Sequence, residues 1–244
     1  MGRAWGYWIL FFLPLTGLRA AVPWADADTE VYEVHWGLVV AAEAKLTVGK
    51  VPSGWQAVLE LRSRGMVETL YPIRSRFVSQ FDPGAKKSFG LEEVRHEGGK
   101  DKHHRLVLDP DQLQGRYEAN VAEKNPKVFE LPHGECQDVL SMLYAARTVA
   151  WGPGVAKEWD VCENKRVKRV RMNYLKEETI ADAAGKGRIC RVLGVEELPD
   201  REGKAPKKPL QVKVWVDKSS SQPLRADLHA VFGTFRLTRV LPGG

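Results

Sequence analysis

The sequence predicts a mainly β protein: a single curved antiparallel sheet or half-barrel of about ten strands with one central helix packed on it. Three observations lead to this class. Apolar and polar residues alternate with a period of two along much of the chain, one stretch repeats with helical spacing, and glycine-, proline- and charge-rich loops separate the segments. Strands with one apolar and one polar face are typical of an antiparallel sheet covered on one side.

The first half of the chain alternates most clearly. Residues 38–48 carry an apolar side chain at every even position, with Glu43, Lys45 and Thr47 between them. The same alternation returns around residues 55–61 and 73–81. Residues 109–136 have weak periodicity and are interpreted as a long connection. Further strands are expected at 158–163, 166–174, 187–196, 210–217 and 224–240.

Residues 137–154, QDVLSMLYAARTVAWGPG, contain the predicted helix. Its apolar side chains follow the i, i+3, i+4 spacing of one covered stripe. Asp138 suits the N-terminus, where a carboxylate accepts hydrogen bonds from free amides. Arg147 is expected either to pair with a carboxylate on a facing strand or to extend from the edge of the stripe towards water.

The N-terminus has the layout of a secretory signal peptide. A basic start at Arg3 precedes about 14 mostly apolar residues, which is short for a membrane span. We expect residues 1–20 to be removed, with cleavage as late as 25, leaving a single β-rich domain at 30–241. The protein would then be exported, with the periplasm as its compartment; an uncleaved N-terminal membrane anchor is the alternative. The mature chain offers no further segment of transmembrane length.

Charge and cysteine content limit the partners. Removing residues 1–20 leaves 35 Lys and Arg against 31 Asp and Glu, spread along the chain, which does not indicate nucleic-acid binding. The basic run at 165–171 is interpreted as an exposed or edge strand guarded by charge. An oxidising compartment permits one disulfide among Cys136, Cys162 and Cys190. Cys162 and Cys190 could face each other, and three separate buried thiols are the alternative.

The chain offers few groups for catalysis or metal binding. Ser141 with His133 or Asp138 lacks the sharp turn that exposes a catalytic serine. Cys136 with His133 is a second weak candidate pair. Glu97, Asp101, His103 and His104 match no zinc or calcium spacing. We therefore assign no catalytic residue, no metal ligand and no cofactor.

Large apolar side chains on the strands and the helix either line a lipid-sized cavity or fill the core. These residues are Trp36, Trp55, Phe77, Leu143, Tyr144, Trp215 and Phe232, with Phe235 beside them.

Several stretches in order resemble the bacterial exported family named domain of unknown function 3108. They include YEVHWG at 32–37, YPIRSRF at 71–77, GRICRV at 187–192 and VWVD at 214–217. The helix adds Asp138, Ser141, Tyr144 and Arg147 in the family's D-x-x-S-x-x-Y-x-x-R order. The resemblance implies an exported, mostly antiparallel β protein of a Gram-negative-type envelope and brings no established activity. The expected fold is similar, more distantly, to periplasmic lipoprotein carriers.

Three functions follow as hypotheses. The leading one is a non-enzymatic envelope protein that binds a hydrophobic ligand such as a lipid, or an envelope protein, on its concave face. It predicts a sizeable apolar cavity between helix and sheet. The second is a structural or assembly factor that acts through an exposed edge strand or residues 82–136. The third is a hydrolase, which requires Ser141, His133, Cys136 and Asp138 in one cleft.

Overall fold

The computed structural model describes residues 22–120, 126–182, 185–206, 211–230 and 233–240. The predicted signal peptide at 1–20 and Phe232 lie outside the described residues. In the described part of the chain, no helix is long and apolar enough to cross a membrane.

The described residues form fourteen strands and two helices. The helices are α1 (Gly65–Leu70) and α2 (Val139–Arg147). The strands of the first half are β1 (Asp28–Trp36), β2 (Val39–Val51), β3 (Gly54–Ser63), β4 (Ile73–Phe81), β5 (Ser88–Glu97), β6 (Lys100–Asp109), β7 (Gln114–Glu118) and β8 (Lys127–Glu130). Those of the second half are β9 (Ala156–Glu163), β10 (Arg166–Ala181), β11 (Gly187–Glu197), β12 (Gln211–Asp217), β13 (Pro223–Ala230) and β14 (Gly233–Val240).

All strands pair in one open antiparallel sheet, in the order β8-β7-β6-β5-β4-β3-β2-β1-β14-β13-β12-β11-β10-β9. Every neighbouring pair is also consecutive in sequence except β1 and β14, which pair Val31 with Val240 and Trp36 with Phe235. The helix α2 contacts β3, β4 and β9 on one side of the sheet, and we call this side the concave face. The predicted class is confirmed, whereas the number of strands and the single helix are wrong.

The alternation in sequence sets which side chains face α2. In β2, Ala42, Ala44, Leu46 and Val48 are buried, and the side chains between them are more exposed. The register pairs Ala44 with Leu61 and Leu46 with Leu59, so the apolar positions of β2 and β3 share the concave face.

The strands β7 and β8 replace the long connection that was predicted for residues 109–136. They are only five and four residues long, too short for a clear period of two. Gly115 of β7 lies opposite Phe129 of β8, and a Cβ on Gly115 would lie 2.2 Å from the Phe129 ring. The Phe129 ring covers Gly115 and so stabilises the pairing of β7 with β8. The intrinsic strand propensities of these residues do not indicate such a contact.

The basic run at 165–171 lies in the β9–β10 turn and in β10, which is an inner strand of the sheet and not an edge strand. Within the run, residues 166–169 pair with β9 on one side, and the pairing with β11 on the other side begins at Val170. Its charges are balanced across the ladders. Arg169 and Arg171 both bind Glu158 of β9, and the Lys168 ammonium lies 3.5 Å from the Glu197 carboxylate of β11.

The main core lies at the end of the sheet where β1 begins. Trp24, which precedes β1, places its ring centroid 5.0 Å from that of Tyr144 and 5.8 Å from that of Trp55, both edge-on. Phe81 at the end of β4 stacks on Tyr144 at 5.3 Å. Edge-on and stacked pairs add to the free energy gained by burial.

Gly90 in β5 tests how tightly the sheet is packed. Its φ is +143°, and an added Cβ would lie 2.2 Å from the Leu106 carbonyl oxygen of β6. We expect Gly90→Ala to lower the free energy of unfolding by at least about 2 kcal/mol, because strain and a backbone clash add together. Urea unfolding followed by circular dichroism measures the change.

Gly152→Ala is the matched control, since no heavy atom lies within 4 Å of an added Cβ there. It should change the free energy of unfolding by less than about 0.5 kcal/mol. Equal stability of the two variants would contradict the packing of β5 against β6.

Candidate ligand site on the concave face

Asp138 fixes the start of α2 inside the sheet. The residue is fully buried, and its Oδ1 accepts hydrogen bonds from the amides of Leu140 and Ser141 at 2.8 and 3.1 Å. The Ser141 hydroxyl accepts from the Asp138 amide at 2.9 Å, which completes a capping box. The Oδ2 accepts from the hydroxyls of Ser79 in β4 and Ser88 in β5, both at 2.6 Å. One carboxylate thus joins the helix to two strands.

Burial raises the pKa of the Asp138 carboxyl above its ordinary value, and hydrogen bonds from the two serine hydroxyls and the two amides oppose that rise. A buried carboxylate is tolerated only when donors surround it. Asp138 therefore acts as a structural anchor with its oxygens occupied by protein donors.

Arg147 fixes the other end of α2. Its guanidinium lies 3.3 Å from the carboxylate of Glu30 in β1 and donates to the Pro23 carbonyl at 3.3 Å. The Tyr32 hydroxyl donates to the other Glu30 oxygen at 2.8 Å. Glu30 and Arg147 are both buried, so the alternative in which Arg147 pairs with a facing strand is the one that the structure supports. Burial also raises the pKa of Tyr32, which keeps its proton as a donor.

Two apolar residues of α2 remain open to solvent on the concave face. Val139 and Leu143 are 37% and 41% exposed, although the sequence predicted both within the covered stripe. Beside Leu143 an apolar cleft of about 60 Å³ lies between α2 and the second half of the sheet. Its other walls include Leu46, Met172 and Leu193, all buried.

This cleft is much smaller than the roughly 300–1,000 Å³ of typical ligand pockets. Trp24, Trp55, Phe81 and Tyr144 pack together in the core between α2 and the first half of the sheet. The cleft beside Leu143 is thus smaller than the sizeable cavity that the leading hypothesis predicted.

The concave face is nevertheless an open apolar surface. Around the filled core, partly buried apolar side chains of the strands face the same side as α2. They are Val34, Leu59, Leu61, Phe77, Tyr174, Val212, Val214 and Leu237. Together with Leu143 they form a trough on which an extended apolar chain could lie.

A polar pocket of about 70 Å³ adjoins the other exposed helix residue, Val139. Glu93, Arg95, His104 and Tyr117 line it from β5, β6 and β7. Arg95 pairs with Glu93 and lies over the Phe77 ring at 5.2 Å. The Tyr117 hydroxyl and His104 Nδ1 are 3.2 Å apart, and burial lowers the pKa of His104, which favours the neutral ring at neutral pH.

Sequence reasoning missed this polar pocket, although a signal for it exists. Positions 91, 93 and 95 alternate as Leu, Glu and Arg along β5, and the phase set by buried Leu91 places Glu93 and Arg95 on the concave face.

The aromatic residues that were singled out as cavity or core divide into several groups. Trp55 and Tyr144 lie in the core, Phe77 lies in the trough, and Trp36 is exposed at a rim of the sheet, stacked on Phe235. Trp215 is buried on the opposite, convex face, with the Arg225 guanidinium 4.3 Å from its ring centroid. The placement of Trp215 with the concave residues is therefore wrong.

The structure does not bring the hydrolase candidates into one cleft. Ser141 is buried in the capping box, and the His133 ring binds the Asp160 carboxylate at 2.7 Å. The Cys136 thiol donates to the backbone carbonyl of His133 at 3.3 Å, away from the imidazole nitrogens.

Cys136, Cys162 and Cys190 are all free and buried, which agrees with the alternative of three separate buried thiols. Cys136 lies beside Cys162, and the hydrogen bond between their thiols lowers the pKa of Cys136 and raises that of Cys162. Cys190 lies in the convex cluster with Trp215, so Cys162 and Cys190 do not face each other.

The remaining polar groups are paired on the surface. His103 binds Glu92 and His96 binds Asp101, each at 2.6 Å, and the described residues hold no cluster of three metal-ligating side chains. A wide groove of about 630 Å³ runs past His133 and Asp160, and Arg201 also binds Asp160 at 2.7 Å. Six of its thirteen lining residues are charged, and apolar residues such as Val149 and Trp159 lie among them.

Removing the Asp138 carboxylate tests the anchor of α2. We expect Asp138→Ala to lower the free energy of unfolding by about 2–5 kcal/mol, because it removes a cap and leaves buried hydroxyls without an acceptor. Asp138→Asn, which keeps the size and one oxygen, should cost less, and Asp111→Ala on the exposed surface should cost almost nothing. Urea unfolding measures all three.

The pH dependence gives a second readout of Asp138. The folded protein holds this proton more tightly than the unfolded chain, so the contribution of Asp138 to the free energy of unfolding falls as pH rises above about 3.9. Asp138→Asn should lack this contribution. If Asp138→Ala were as stable as Asp138→Asn and showed the same pH dependence of unfolding as the wild-type protein, the role of Asp138 as the anchor of α2 would be contradicted.

The Arg147–Glu30 pair is suited to a double-mutant cycle. We expect Arg147→Met and Glu30→Gln each to lower the free energy of unfolding by about 3–5 kcal/mol, because each leaves a buried partner unpaired. The double variant should lose less than the sum of the two. Additive losses in urea unfolding would show that the two side chains do not depend on each other.

Comparisons with known proteins give the fold and the family. A solved beta-barrel-like protein of domain of unknown function DUF1849 from Brucella abortus aligns with a TM-score of 0.59 at 10% identity, covering 87% of this chain and 94% of that one. Lipoprotein LppX from Mycobacterium tuberculosis aligns at 11% identity over 88% of this chain and 85% of its own, with a TM-score of 0.29 that is too low to indicate a shared fold. No curated protein matches the sequence.

The family described as "Protein of unknown function (DUF3108)" matches residues 31–240, which run from the fourth residue of β1 to the end of β14. The match covers most of the chain and agrees with the resemblance found in the sequence. The chain therefore belongs to the DUF3108 family.

Proposed function

We propose that this is an exported, non-enzymatic protein of the cell envelope that binds an amphipathic molecule on its concave face. The apolar chain of the ligand lies in the trough beside Leu143, and its polar head lies in the pocket of Arg95, His104 and Tyr117. Export rests on the N-terminal sequence pattern.

The observation that carries the proposal is the exposure of Leu143. The residue sits on a helix held at both ends by buried ionic groups, yet 41% of its surface is open. A leucine held in that position faces buried Leu46, Met172 and Leu193 across an apolar cleft. Covering the exposed 41% of Leu143 with an acyl chain would gain roughly 1 kcal/mol.

The polar pocket supports an amphipathic rather than a purely apolar ligand. Val139, which borders that pocket, and Leu143, which borders the cleft, are four residues apart on α2. Side chains at this spacing lie on one face of a helix, about 6 Å apart. A ligand that follows this face passes from the guanidinium of Arg95 to the apolar cleft.

The assembly-factor hypothesis has weaker support. The sheet has two edge strands, β8 and β9. Gln137 pairs with Val161 on the outer side of β9, and β8 is a strand of four residues that begins with Lys127 and ends with Glu130. Short strands with charged ends are typical of edges that avoid pairing with another chain. In residues 82–136 the exposed apolar side chains Val94, Val107, Leu113 and Val128 are distributed over four separate elements or turns.

Native mass spectrometry of the protein purified after export tests the proposal directly. We expect a co-purifying species of lipid mass that organic solvent extracts. Protein freed of this lipid should then bind a fluorescent fatty acid in solution. Leu143→Ser should raise the Kd for the fatty acid about tenfold or more, because its acyl chain loses an apolar contact surface.

Leu113→Ser is the matched control, since Leu113 is 42% exposed in the β6–β7 turn, away from the trough. Its Kd should stay unchanged. Arg95→Gln should weaken the binding of a fatty-acid probe and leave the binding of a neutral alcohol of the same chain length unchanged. Equal binding by the wild-type protein and Leu143→Ser would refute the trough as the ligand site.

A further inference from the structure

A second apolar surface lies at one end of the sheet, where β1, β3 and β5 end. Six large apolar side chains are exposed there, and we call them the rim patch. Leu38 is fully exposed, and Leu70 and Met66 are 75% and 63% exposed. The other members are Trp36, Val39 and Tyr71.

The rim patch comes from three connections that touch one another. The Arg64 amide at the start of α1 donates to the Ala41 carbonyl of β2 at 2.9 Å, which places α1 beside the β1–β2 turn. The Gly98 amide in the β5–β6 turn donates to the Pro72 carbonyl at 3.0 Å, and the Tyr71 ring covers Gly98. Trp36 stacks on Phe235, with ring centroids 6.2 Å apart.

The connections at this end of the sheet carry more basic than acidic residues. Residues 36–39, 64–74, 97–100, 164–166 and 198–206 together contain seven Lys and Arg against four Asp and Glu. The basic residues are Arg64, Arg74, Lys100, Lys165, Arg166, Arg201 and Lys204, of which Arg64 pairs with Glu43, Arg74 with Glu68 and Arg201 with Asp160. A protruding apolar tip with aromatic residues and an excess of basic residues fits an anionic lipid surface.

We propose that the rim patch docks the protein onto an anionic phospholipid membrane. Leu38, Met66 and Leu70 enter the acyl boundary, while Trp36 and Tyr71 lie at the level of the headgroups. Each Lys or Arg near an anionic surface adds about 1 kcal/mol of attraction in general, which falls with salt.

Membrane docking would extend the proposed function, because it would bring the ligand site close to a source of lipid. It rests on the proposed function only in the path that the ligand would take from the membrane to the polar pocket. Glu163 and Asn164, at the turn that leads into this rim, also line the polar pocket. A ligand leaving the membrane at the rim would therefore meet the pocket of Arg95 and His104 first.

The ends of the described chain lie at the opposite rim. Val240 pairs with Val31 near the start of β1, and the Pro23 carbonyl binds Arg147 beside Glu30. Val31 lies five residues from Trp36 along β1, which corresponds to about 17 Å.

Sedimentation with vesicles tests the docking. Protein purified after export and freed of lipid is mixed with vesicles of phosphatidylethanolamine and phosphatidylglycerol, or of phosphatidylcholine alone. We expect binding to the first kind, a loss at high salt, and little binding to the second. Leu38→Ser with Leu70→Ser should lower the partition coefficient about tenfold or more, because two exposed leucines lose most of their apolar surface.

Leu113→Ser with Ile189→Ser is the control, since both residues are exposed and lie outside the rim. That variant should bind vesicles like the wild-type protein. Equal binding by the rim variant, or no binding by the wild-type protein, would overturn the proposal. A wild-type dimer that the rim variant loses in analytical ultracentrifugation, without vesicle binding, would instead assign the surface to a second copy.

The two proposals fail separately. Leu143→Ser should still bind vesicles, and the Leu38→Ser, Leu70→Ser variant should still bind a fluorescent fatty acid in solution. A variant that loses only fatty-acid binding therefore tests the trough as the ligand site, and a variant that loses only vesicle binding tests the rim patch as the docking surface.

Discussion

The position of α2 depends on one buried carboxylate. Asp138 accepts four hydrogen bonds, two from the helix that it caps and two from serine hydroxyls of β4 and β5. A carboxylate without these donors could not remain ionised in a site without water. The network therefore sets both where the helix begins and how it is rotated. Arg147 reaches Glu30, and Leu143 faces the cleft, only in that rotation.

The fold class could be predicted because the strands of the first half are long and regular. Every even position from 38 to 48 is apolar, and Asp138 marks the start of the helical segment. The extra strands could not be found in this way. β7 and β8 hold nine residues between them, and the contact of Gly115 with Phe129 exists only after the chain has turned back on itself. The short helix α1 buries none of its residues, so its sequence contains no apolar stripe from which the helix could be predicted.

The candidate site was predictable only in part, because phase along a strand matters more than residue type. In β12, Val212, Val214 and Val216 share the concave face, so Trp215 between them faces the convex side. The sequence contains this alternation, but the size of the tryptophan drew the assignment towards the core. Glu93 and Arg95 are the reverse case. Their positions in the alternation of β5 place both side chains on the concave face, although both are charged.

The order of the strands has a consequence for how the sheet is completed. Each half of the sheet is a series of hairpins between neighbours in sequence, and only the β1–β14 ladder joins residues about 200 positions apart. Hairpins form early because little chain entropy is lost in closing short loops, whereas this ladder must wait for the last strand. For a chain that crosses a membrane unfolded, the first strand would emerge long before its partner. Until β14 arrives, one edge of β1 stays open, and the protein is then most exposed to pairing with the wrong strand.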